Sequence, residues 1–297
     1  MGLRPNPSQR QRRLGLELRR LRDERGLTAT KAGGEIGLSA AHLNHIEAGR
    51  TAIQPVKLRA LADVCGCKDE RLIDALIAIS QSNGRGWWSE YNHPPHNDDA
   101  RDLAELESMS VRHRAFQWVL VPGMLQTAEY MRALFESGEP DASPEDQEAF
   151  IDFRLRRQRV LTEARPPEFH AVIHEAALRM EFAQRGVMER QIEHLIEMTR
   201  KPNIQVQLLP FRANVNQVRF TCSFDCYDSA VSELSTIYVE HPAQSPFVTD
   251  QSNLAQFSDA FTKLSALALP PVDVEAGSSI PTRRDSLGLI QHLLYDL

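Results

Sequence analysis

Cysteine is scarce in this chain, and long hydrophobic runs are missing. Four cysteines in 297 residues are too few for a disulfide scaffold, so a reducing, cytoplasmic setting is expected. No apolar run approaches the roughly 18 residues of a membrane helix. The basic N-terminus, MGLRPNPSQRQRRLGLELRR, lacks the apolar core of a signal peptide. The sequence therefore predicts neither a membrane-spanning protein nor a secreted, disulfide-linked one.

Enzyme and cofactor motifs are also missing. The chain has no phosphate-binding glycine loop, no dinucleotide fingerprint and no nucleophile motif. Cys222 and Cys226, four residues apart on a strand, would lie about 13 Å apart, whereas zinc needs its sulfur ligands at about 2.3 Å. Cysteines in the core explain these residues better than a zinc site shared with Cys65 and Cys67. The sequence predicts no enzyme, no cofactor and no metal, with an enzyme carrying a DNA-binding domain as the weaker alternative.

Charge is unevenly distributed along the chain. The whole sequence has a net charge of −6, but residues 1–60 hold twelve Lys and Arg against five Asp and Glu. A length of 297 residues suits about two domains. A basic N-terminal segment on an acidic remainder indicates that one end binds a polyanion such as nucleic acid. A small module that is basic without such a partner is the alternative.

The segment 14–80 has the pattern of five short helices. Glycines follow the first three apolar stretches, at Gly26, Gly37 and Gly49, where a helix commonly ends. Thr28 and Ser39 are suited to cap the second and third helices. Apolar residues recur at helical spacing in the first, fourth and fifth helices: Leu14, Leu18, Leu21; Leu58, Leu61, Ala62, Cys65; Leu72, Ala75, Leu76, Ile79.

The second and third helices are joined by the three residues Gly37-Leu38-Ser39. A short corner containing glycine is typical of the helix-turn-helix motif. If Leu43 and Ile46 face the core, then Ala41, Asn44 and His45 point away from it. Asparagine pairs with adenine through two hydrogen bonds, and an alanine methyl contacts the thymine methyl. This face therefore suits a DNA major groove.

This region resembles the helix-turn-helix domain of the xenobiotic-response-element (XRE) family, also called phage-repressor-like. The segment from Gly37-Leu38-Ser39 to Ile46-Glu47-Ala48-Gly49-Arg50 follows that family's G-[VL]-S…I-E-x-G-R pattern. The resemblance implies an all-α domain of five helices that binds duplex DNA. Three features depart from the pattern. Ala29 stands where the family often has a phosphate-contacting Gln, Gly34 follows the expected small residue Gly33, and Ala40 and Ala41 replace the long polar side chains common at those positions.

The motif and the resemblance together predict a set of DNA-contacting residues. His42 and His45 have solvated or packed side chains as their alternative. Residues 1–13 are predicted to form a basic arm whose Arg10, Arg12 and Arg13 reach phosphate or the minor groove, with an unstructured terminus as the alternative. The predicted DNA contacts are Arg13, Thr28, Ser39, Ala40, Ala41, His42, Asn44, His45, Arg50 and Lys57.

Residues 81–100 read as a linker that contains a tryptophan pair. The segments GRGWW and NHPPHNDD are rich in glycine, proline and polar residues. Trp87 and Trp88 are expected to dock this linker against a domain, since tryptophan is seldom left bare. A ligand contact is the alternative.

Residues 101–297 are predicted to form a mixed α+β domain that regulates and dimerises. Strands are expected at 115–121, 169–174, 204–209, 220–227 and 235–240, and helices at 127–136, 144–163, 185–200, 254–267 and 283–296. One of the last two apolar helices is expected to cover the sheet and the other to face a two-fold partner. The alternative is that both cover the sheet. The predicted fold class of the chain is α+β.

This C-terminal domain resembles that of WhiJ-like regulators from high-GC bacteria, which is described as antitoxin-like. The resemblance rests on VPGMLQTAEYMRALFESG, RLRRQRVL, VIHEAALRM and NIQVQLLPF, and GRGWWSEY fits the linker of that group. It implies a transcriptional regulator whose gene often lies beside one for a very small protein that acts with it.

Three charged residues of this domain are candidates for a ligand or partner site. Arg154 and Arg157 belong to a basic cluster with Arg156 and Arg159, for which a solvated helix face is the simplest interpretation and an anionic ligand, DNA backbone or acidic partner the alternative. Glu175 recurs in the resembled pattern, where it orients a turn or an arginine, with a ligand role as the alternative.

Two functional hypotheses follow. The first is a sequence-specific DNA-binding transcriptional regulator that acts as a homodimer and receives a signal from a small ligand or a small protein. The second is an antitoxin-like interaction protein that sequesters a small protein encoded nearby and autoregulates its operon. Double-stranded DNA is the expected partner in both.

Overall fold

A computed structural model describes residues 4–92, 95–138, 141–215, 218, 222–241, 246–275 and 285–297. The chain forms two compact units. The first, the helical unit, comprises Met1–Leu106 with Ala230–Leu234, and the second, the sheet unit, comprises Glu107–Ser229 with Ser235–Leu297.

The helical unit contains five consecutive helices of the helix-turn-helix region. A 3-10 turn follows at Trp87–Glu90, and the next helix begins at Asp98. The helices are α1 Gln9–Glu24, α2 Ala29–Glu35, α3 Ala40–Glu47, α4 Pro55–Cys65, α5 Glu70–Gln81 and α6 Asp98–Met109.

The predicted caps and ends of these helices are present. Gly26, Gly37 and Gly49 have φ angles of 69°, 67° and 73°, which a side chain would disfavour. Thr28 and Ser39 accept hydrogen bonds from backbone N–H groups in the first turns of α2 and α3. All the apolar stripes converge on one core, in which Leu18, Leu43 and Leu58 are fully buried.

The prediction that the N-terminal arm extends to residue 13 is wrong. Helix α1 begins at Gln9, because Ser8 forms a reciprocal capping box with Gln11. Arg10, Arg12 and Arg13 therefore lie inside α1 and not in a tail ahead of it.

The sheet unit is built on six strands. They are β1 Arg112–Gln117, β2 Glu168–His174, β3 Ile204–Leu209, β4 Phe224–Asp228, β5 Thr236–Val239 and β6 Phe247–Val248. Their order is β3-β2-β1-β4-β5-β6. The β1–β2 and β2–β3 pairs are parallel, whereas β4, β5 and β6 pair antiparallel. The first strand thus lies inside the sheet, with a parallel neighbour on one side and an antiparallel neighbour on the other.

Six helices complete the sheet unit. A 3-10 turn at Gly123–Leu125 precedes the first, and another at Arg159–Thr162 follows the second. The helices are α7 Ala128–Gly138, α8 Pro144–Gln158, α9 Ala176–Arg179, α10 Arg185–Met198, α11 Gln251–Leu267 and α12 Ser286–Asp296.

The two apolar helices near the end of the chain both pack within the unit. Leu254, Phe261 and Leu264 of α11 join Phe116 and Phe224 in one core. The other core combines residues of α12 and α10 with the opposite side of the strands: Leu287, Ile290, Leu293, Ile192, Leu195, Ala115, Ala171. The expectation that one of these stripes faces a two-fold partner is therefore wrong, because burial against the sheet uses both.

The predicted fold class is confirmed: a helical N-terminal domain precedes a mixed α+β domain, and the chain is α+β. Several elements differ from the prediction. Helix α6, which begins inside the predicted linker, was not predicted, and neither were helix α9 and the two-residue strand β6. Strand β1 begins three residues earlier than expected. The predicted strand start at 220 and the predicted helix start at 283 lie outside the described residues. Among those residues, no helix is both long and apolar enough to cross a membrane.

Candidate nucleic-acid interface

The corner between α2 and α3 depends on a close backbone contact. The N–H of Leu38 donates to the carbonyl of Gly33 at 2.8 Å. A Cβ atom added to Gly33 would lie 2.9 Å from the Leu38 oxygen, whereas one added to Gly34 would meet nothing within 4 Å. Gly33 is therefore required at the corner, and Gly34 is not.

Helix α3 presents the face that the sequence predicted. Leu43 and Ile46 are buried, while Ala41 and Asn44 are exposed and His45 is partly exposed. Ser39, Ala48 and His42 are also exposed, and Ala40 is partly exposed. The exposed face is small and polar, which lets a helix lie deep in a major groove.

The N-terminus of α3 carries a hydroxyl cap. The Ser39 Oγ accepts a hydrogen bond from the backbone N–H of His42 at 3.2 Å. Other N–H groups in the first turn of a helix have no partner within it. Together with the positive end of the helix dipole, they favour a phosphate group at this position.

A buried ion pair holds the other end of α3. Glu47 accepts from Arg22 Nε at 2.6 Å and from Arg22 Nη2 at 2.8 Å, and both side chains are less than one-tenth exposed. Glu47 is part of the family pattern in the sequence, but that pattern alone indicates no role for it. The sequence feature that could have indicated its burial is its position directly after Ile46, which together with Leu43 forms the core-facing side of α3.

Two glycines let α1 approach this end of α3. A Cβ on Gly15 would lie 2.3 Å from the carbonyl oxygen of Glu47, and one on Gly49 would lie 2.9 Å from the backbone of Gln11. The orientation of α3 is thus set by backbone contact as well as by the Arg22–Glu47 pair.

The remaining predicted DNA contacts lie in different surroundings. Arg50 and Thr28 are exposed. Lys57 is partly buried, and its ammonium group donates to the carbonyl of Ile36 at the end of α2. Arg13 is 6% exposed and lies 3.4 Å from Glu17. Its burial, which also lowers the pKa of the guanidinium, leaves no side-chain surface for DNA.

The tryptophan pair lies beside a polar cavity of the helical unit. Trp87 and Trp88 meet edge to face at 5.9 Å, and Trp88 Nε1 donates to the Gly84 carbonyl at 3.2 Å. Trp88, Arg10 and Asp102 are among the residues that line a cavity of about 240 Å³. Asp102 accepts from the backbone N–H of Gln9 at 2.8 Å, and burial raises the pKa of its carboxyl group to about 6.

The candidate residues of the sheet unit divide into paired and unpaired groups. Arg157 donates to both oxygens of Glu107, at 2.9 and 2.5 Å. Glu175 accepts from Arg179 Nε at 2.7 Å and from the Phe211 backbone N–H at 3.0 Å, so it orients both an arginine and a turn. Arg154, in contrast, has no ion-pair partner among the residues that the structure describes.

The four cysteines, Cys65, Cys67, Cys222 and Cys226, all lie in the described residues and are not joined by disulfide bonds. Cys65 and Cys226 are buried, and loss of hydration raises their pKa values to about 11 and about 12. Over the described part of the chain, no group of three His, Cys, Asp or Glu residues is arranged to hold a metal ion.

Comparison with known proteins identifies both parts of the chain. Residues 13–76 match a helix-turn-helix domain. Residues 100–275, more than half of the chain, match a domain of unknown function, DUF5753. No curated protein and no solved structure matches the chain. The protein therefore carries a helix-turn-helix domain, which suggests a DNA-binding regulator, and it belongs to the DUF5753 domain family.

Proposed function

We propose that this protein is a cytoplasmic, sequence-specific transcriptional regulator that binds duplex DNA through α3. The observation that carries the proposal is the exposed polar face of α3, with Ala41 and Asn44 outward while Leu43 and Ile46 are buried. The other DNA contacts in this proposal are Ser39, Ala40, His42, His45, Thr28, Lys57 and Arg50, all of which are exposed or partly exposed. Asn44 reads a base, and Arg50 contacts a phosphate.

Electrostatics support the proposal. The twelve Lys and Arg in residues 1–60, against five Asp and Glu, match a phosphate backbone. Arg13 is not part of this contact because it is buried in α1.

The test is binding of the full-length protein to DNA fragments from upstream of its own gene, measured by fluorescence anisotropy across salt concentrations. Each phosphate contact lowers the slope of log K against log salt by about 0.9. We expect a slope of several units and a footprint at one site. A binding constant that does not change with salt, or binding without any sequence preference, would contradict the proposal.

The sheet unit is proposed to make the homodimer and to receive a signal. One recognition helix contacts few base pairs, and a two-fold dimer doubles the site. The contact must lie away from the α11 and α12 stripes, because both are buried within the unit. Sedimentation of the full chain with and without its operator fragment tests this. A monomer in both conditions would contradict the dimer.

A second candidate function is an antitoxin-like protein that sequesters a small neighbour-encoded protein. Exposed aromatic rings favour it: Trp118 and Phe211 are 39% and 59% exposed, and both contact His174, at 4.6 and 5.0 Å between ring centroids. Clustered exposed apolar side chains mark protein-binding surfaces.

Co-expression with the product of the adjacent gene distinguishes the two functions. A stoichiometric complex that Trp118→Ala abolishes and Val56→Ala retains would support sequestration. Val56 is the control because it is 81% exposed and lies on α4 of the helical unit, whereas Trp118 and Phe211 belong to the sheet unit. Absence of any complex would contradict the second function and leave the first.

A further inference from the structure

Arg154 is a partly buried cation whose surroundings do not satisfy it. It lies on α8, and its guanidinium group is 4.9 Å from the centre of the Phe135 ring. It makes one hydrogen bond, from Nη1 to Gln126 Oε1 at 3.3 Å. Within the described residues, no carboxylate oxygen lies at salt-bridge distance from it. A guanidinium group has five N–H donors, so most of the donors of Arg154 have no acceptor among the residues that the structure describes.

The neighbouring Arg157, on the same helix, has the carboxylate partner that Arg154 lacks among the described residues. Arg157 makes a two-pronged ion pair with Glu107, whose side chain is 2% exposed. Burial alone lowers the pKa of Arg157, but Glu107 more than offsets that effect and the pKa rises. For Arg154, loss of hydration and then the charge of Arg157 lower the pKa to about 10, so it stays charged at neutral pH.

Neighbouring side chains hold Arg154 in place although none of the described residues forms an ion pair with it. Gln126, which is 3% exposed, donates from Nε2 to the Val121 carbonyl at 2.7 Å, and this bond directs its Oε1 toward Arg154. On the other side, Phe135 stacks on Phe150 at 5.4 Å and forms an apolar platform for the guanidinium plane. A side chain held on two sides has lost most of its conformational freedom before any ligand arrives.

The site also lies where α/β sheets commonly bind ligands. Gln126 is on the connection that follows the carboxyl end of β1, between the 3-10 turn Gly123–Leu125 and α7. β1 has its parallel neighbour β2 on one side and its antiparallel neighbour β4 on the other. In open α/β sheets, ligands bind outside the carboxyl ends of strands where the strand order reverses.

We propose that Arg154 anchors a binding site for a small oxyanion, the carboxylate or phosphate group of an effector, which supplies hydrogen-bond acceptors and a negative charge in direct contact with the guanidinium. The planar fork of arginine matches either group with two parallel hydrogen bonds. Glu240 is the carboxylate whose charge stabilises protonated Arg154, and the effector takes over that role at shorter range. The inference rests on the proposed function in one respect, namely that the bound molecule is the signal.

The experiment is thermal unfolding of the full-length protein with sodium phosphate or sodium succinate, each compared with sodium chloride at equal ionic strength. A ligand that binds the folded state raises the melting temperature. We expect at least one probe to raise it beyond chloride. A rise with phosphate alone assigns a phosphate effector, and a rise with succinate alone assigns a carboxylate. If neither probe has an effect, the proposal is overturned.

Matched variants locate the site. Arg154→Met should abolish the shift, and Arg159→Met, which removes an exposed member of the same basic cluster, should retain it. An undiminished shift in Arg154→Met would overturn the proposal. This measurement needs no DNA. A negative result would therefore not contradict the DNA-binding proposal, and absence of DNA binding would not contradict the oxyanion site.

The stability of the variants without any added probe tests whether Arg154 has a purely structural role. Arg154→Met should be folded and at least as stable as the wild type, since it leaves no carboxylate unpaired. Arg157→Met should be less stable than the wild type, because it leaves the buried Glu107 carboxylate without its ion-pair partner. If both variants lose stability equally, Arg154 is a structural residue and the proposal is wrong.

Discussion

Glu47 and Arg22 form a buried, two-pronged ion pair, with Nε–Oε1 and Nη2–Oε2 distances of 2.6 and 2.8 Å. The pair joins the last turn of α1 to the last turn of α3. Arg22 also donates to the carbonyl of Leu27, just after α1 ends, at 2.7 Å. One side chain therefore holds α1, the α1–α2 connection and the recognition helix in one arrangement.

Glu47→Gln should destabilise the protein strongly. Removing one partner of a buried ion pair leaves the other charge uncompensated and typically costs about 3–5 kcal/mol. Urea unfolding of the full-length protein, followed by circular dichroism, measures the change. Glu70→Gln is the matched control because Glu70 pairs with Arg59 at the surface, where such pairs contribute about 0–1 kcal/mol. Equal effects of the two substitutions would contradict a special role for Glu47.

Asn44→Ala should weaken binding to the cognate operator by about 1–3 kcal/mol and have little effect on unrelated DNA, because it removes a base contact. Arg50→Ala should weaken binding to all sequences alike and reduce the salt slope by about 1, because it removes a phosphate contact. Both residues are exposed, so neither change should alter folding. Unchanged operator affinity in Asn44→Ala would show that another face of α3 meets the bases.

Two adjacent glycines should respond in opposite directions to the same substitution. Gly34→Ala should stabilise the protein by about 0.5–1 kcal/mol, because alanine restricts the unfolded chain and favours a helix. The new methyl group meets no atom within 4 Å. Gly33→Ala should destabilise it, because its Cβ would lie 2.9 Å from the Leu38 carbonyl oxygen. Melting temperatures of the two variants test this, and a rise for both would contradict the close contact.

Asp102→Asn should stabilise the protein at pH 7 and above. Burial raises the pKa of Asp102 from 3.8 to about 6, so folding disfavours its charged form. The contribution of Asp102 to the free energy of unfolding is therefore fully present below about pH 4, where the carboxyl group is protonated in both states. It is lost as the pH rises through about 6. A shift of about two pKa units corresponds to about 1–3 kcal/mol at neutral pH.

The measurement for Asp102 is the pH dependence of urea unfolding. The difference between Asp102→Asn and the wild type should shrink toward zero as the pH falls to 4. Asp63→Asn, an exposed change on α4, is the control and should show no such trend. A pH-independent difference would contradict the raised pKa.

The sequence carried enough local information to predict most of the helical unit. Helix caps, glycine stops and apolar spacing act over a few residues, so Thr28, Ser39 and Gly37 could be assigned before any tertiary contact was known. The start of α1 was missed because Ser8 and Gln11 form a capping box in a segment that otherwise looks like a basic tail. Gly33, the small residue of the family pattern, touches the turn that leads into the recognition helix.

What the sequence alone determined is the set of elements: the helix-turn-helix corner, the polar face of α3 and the mixed α+β composition of the remainder. The tertiary structure decided what each charge does. Glu47 and Arg22 are 25 residues apart, and Arg157 and Glu107 are 50 apart. No periodicity connects such pairs, because pairing depends on long-range packing and on which carboxylate shares the buried space. That is why two arginines three positions apart in α8, one paired and one not, look equivalent in the sequence.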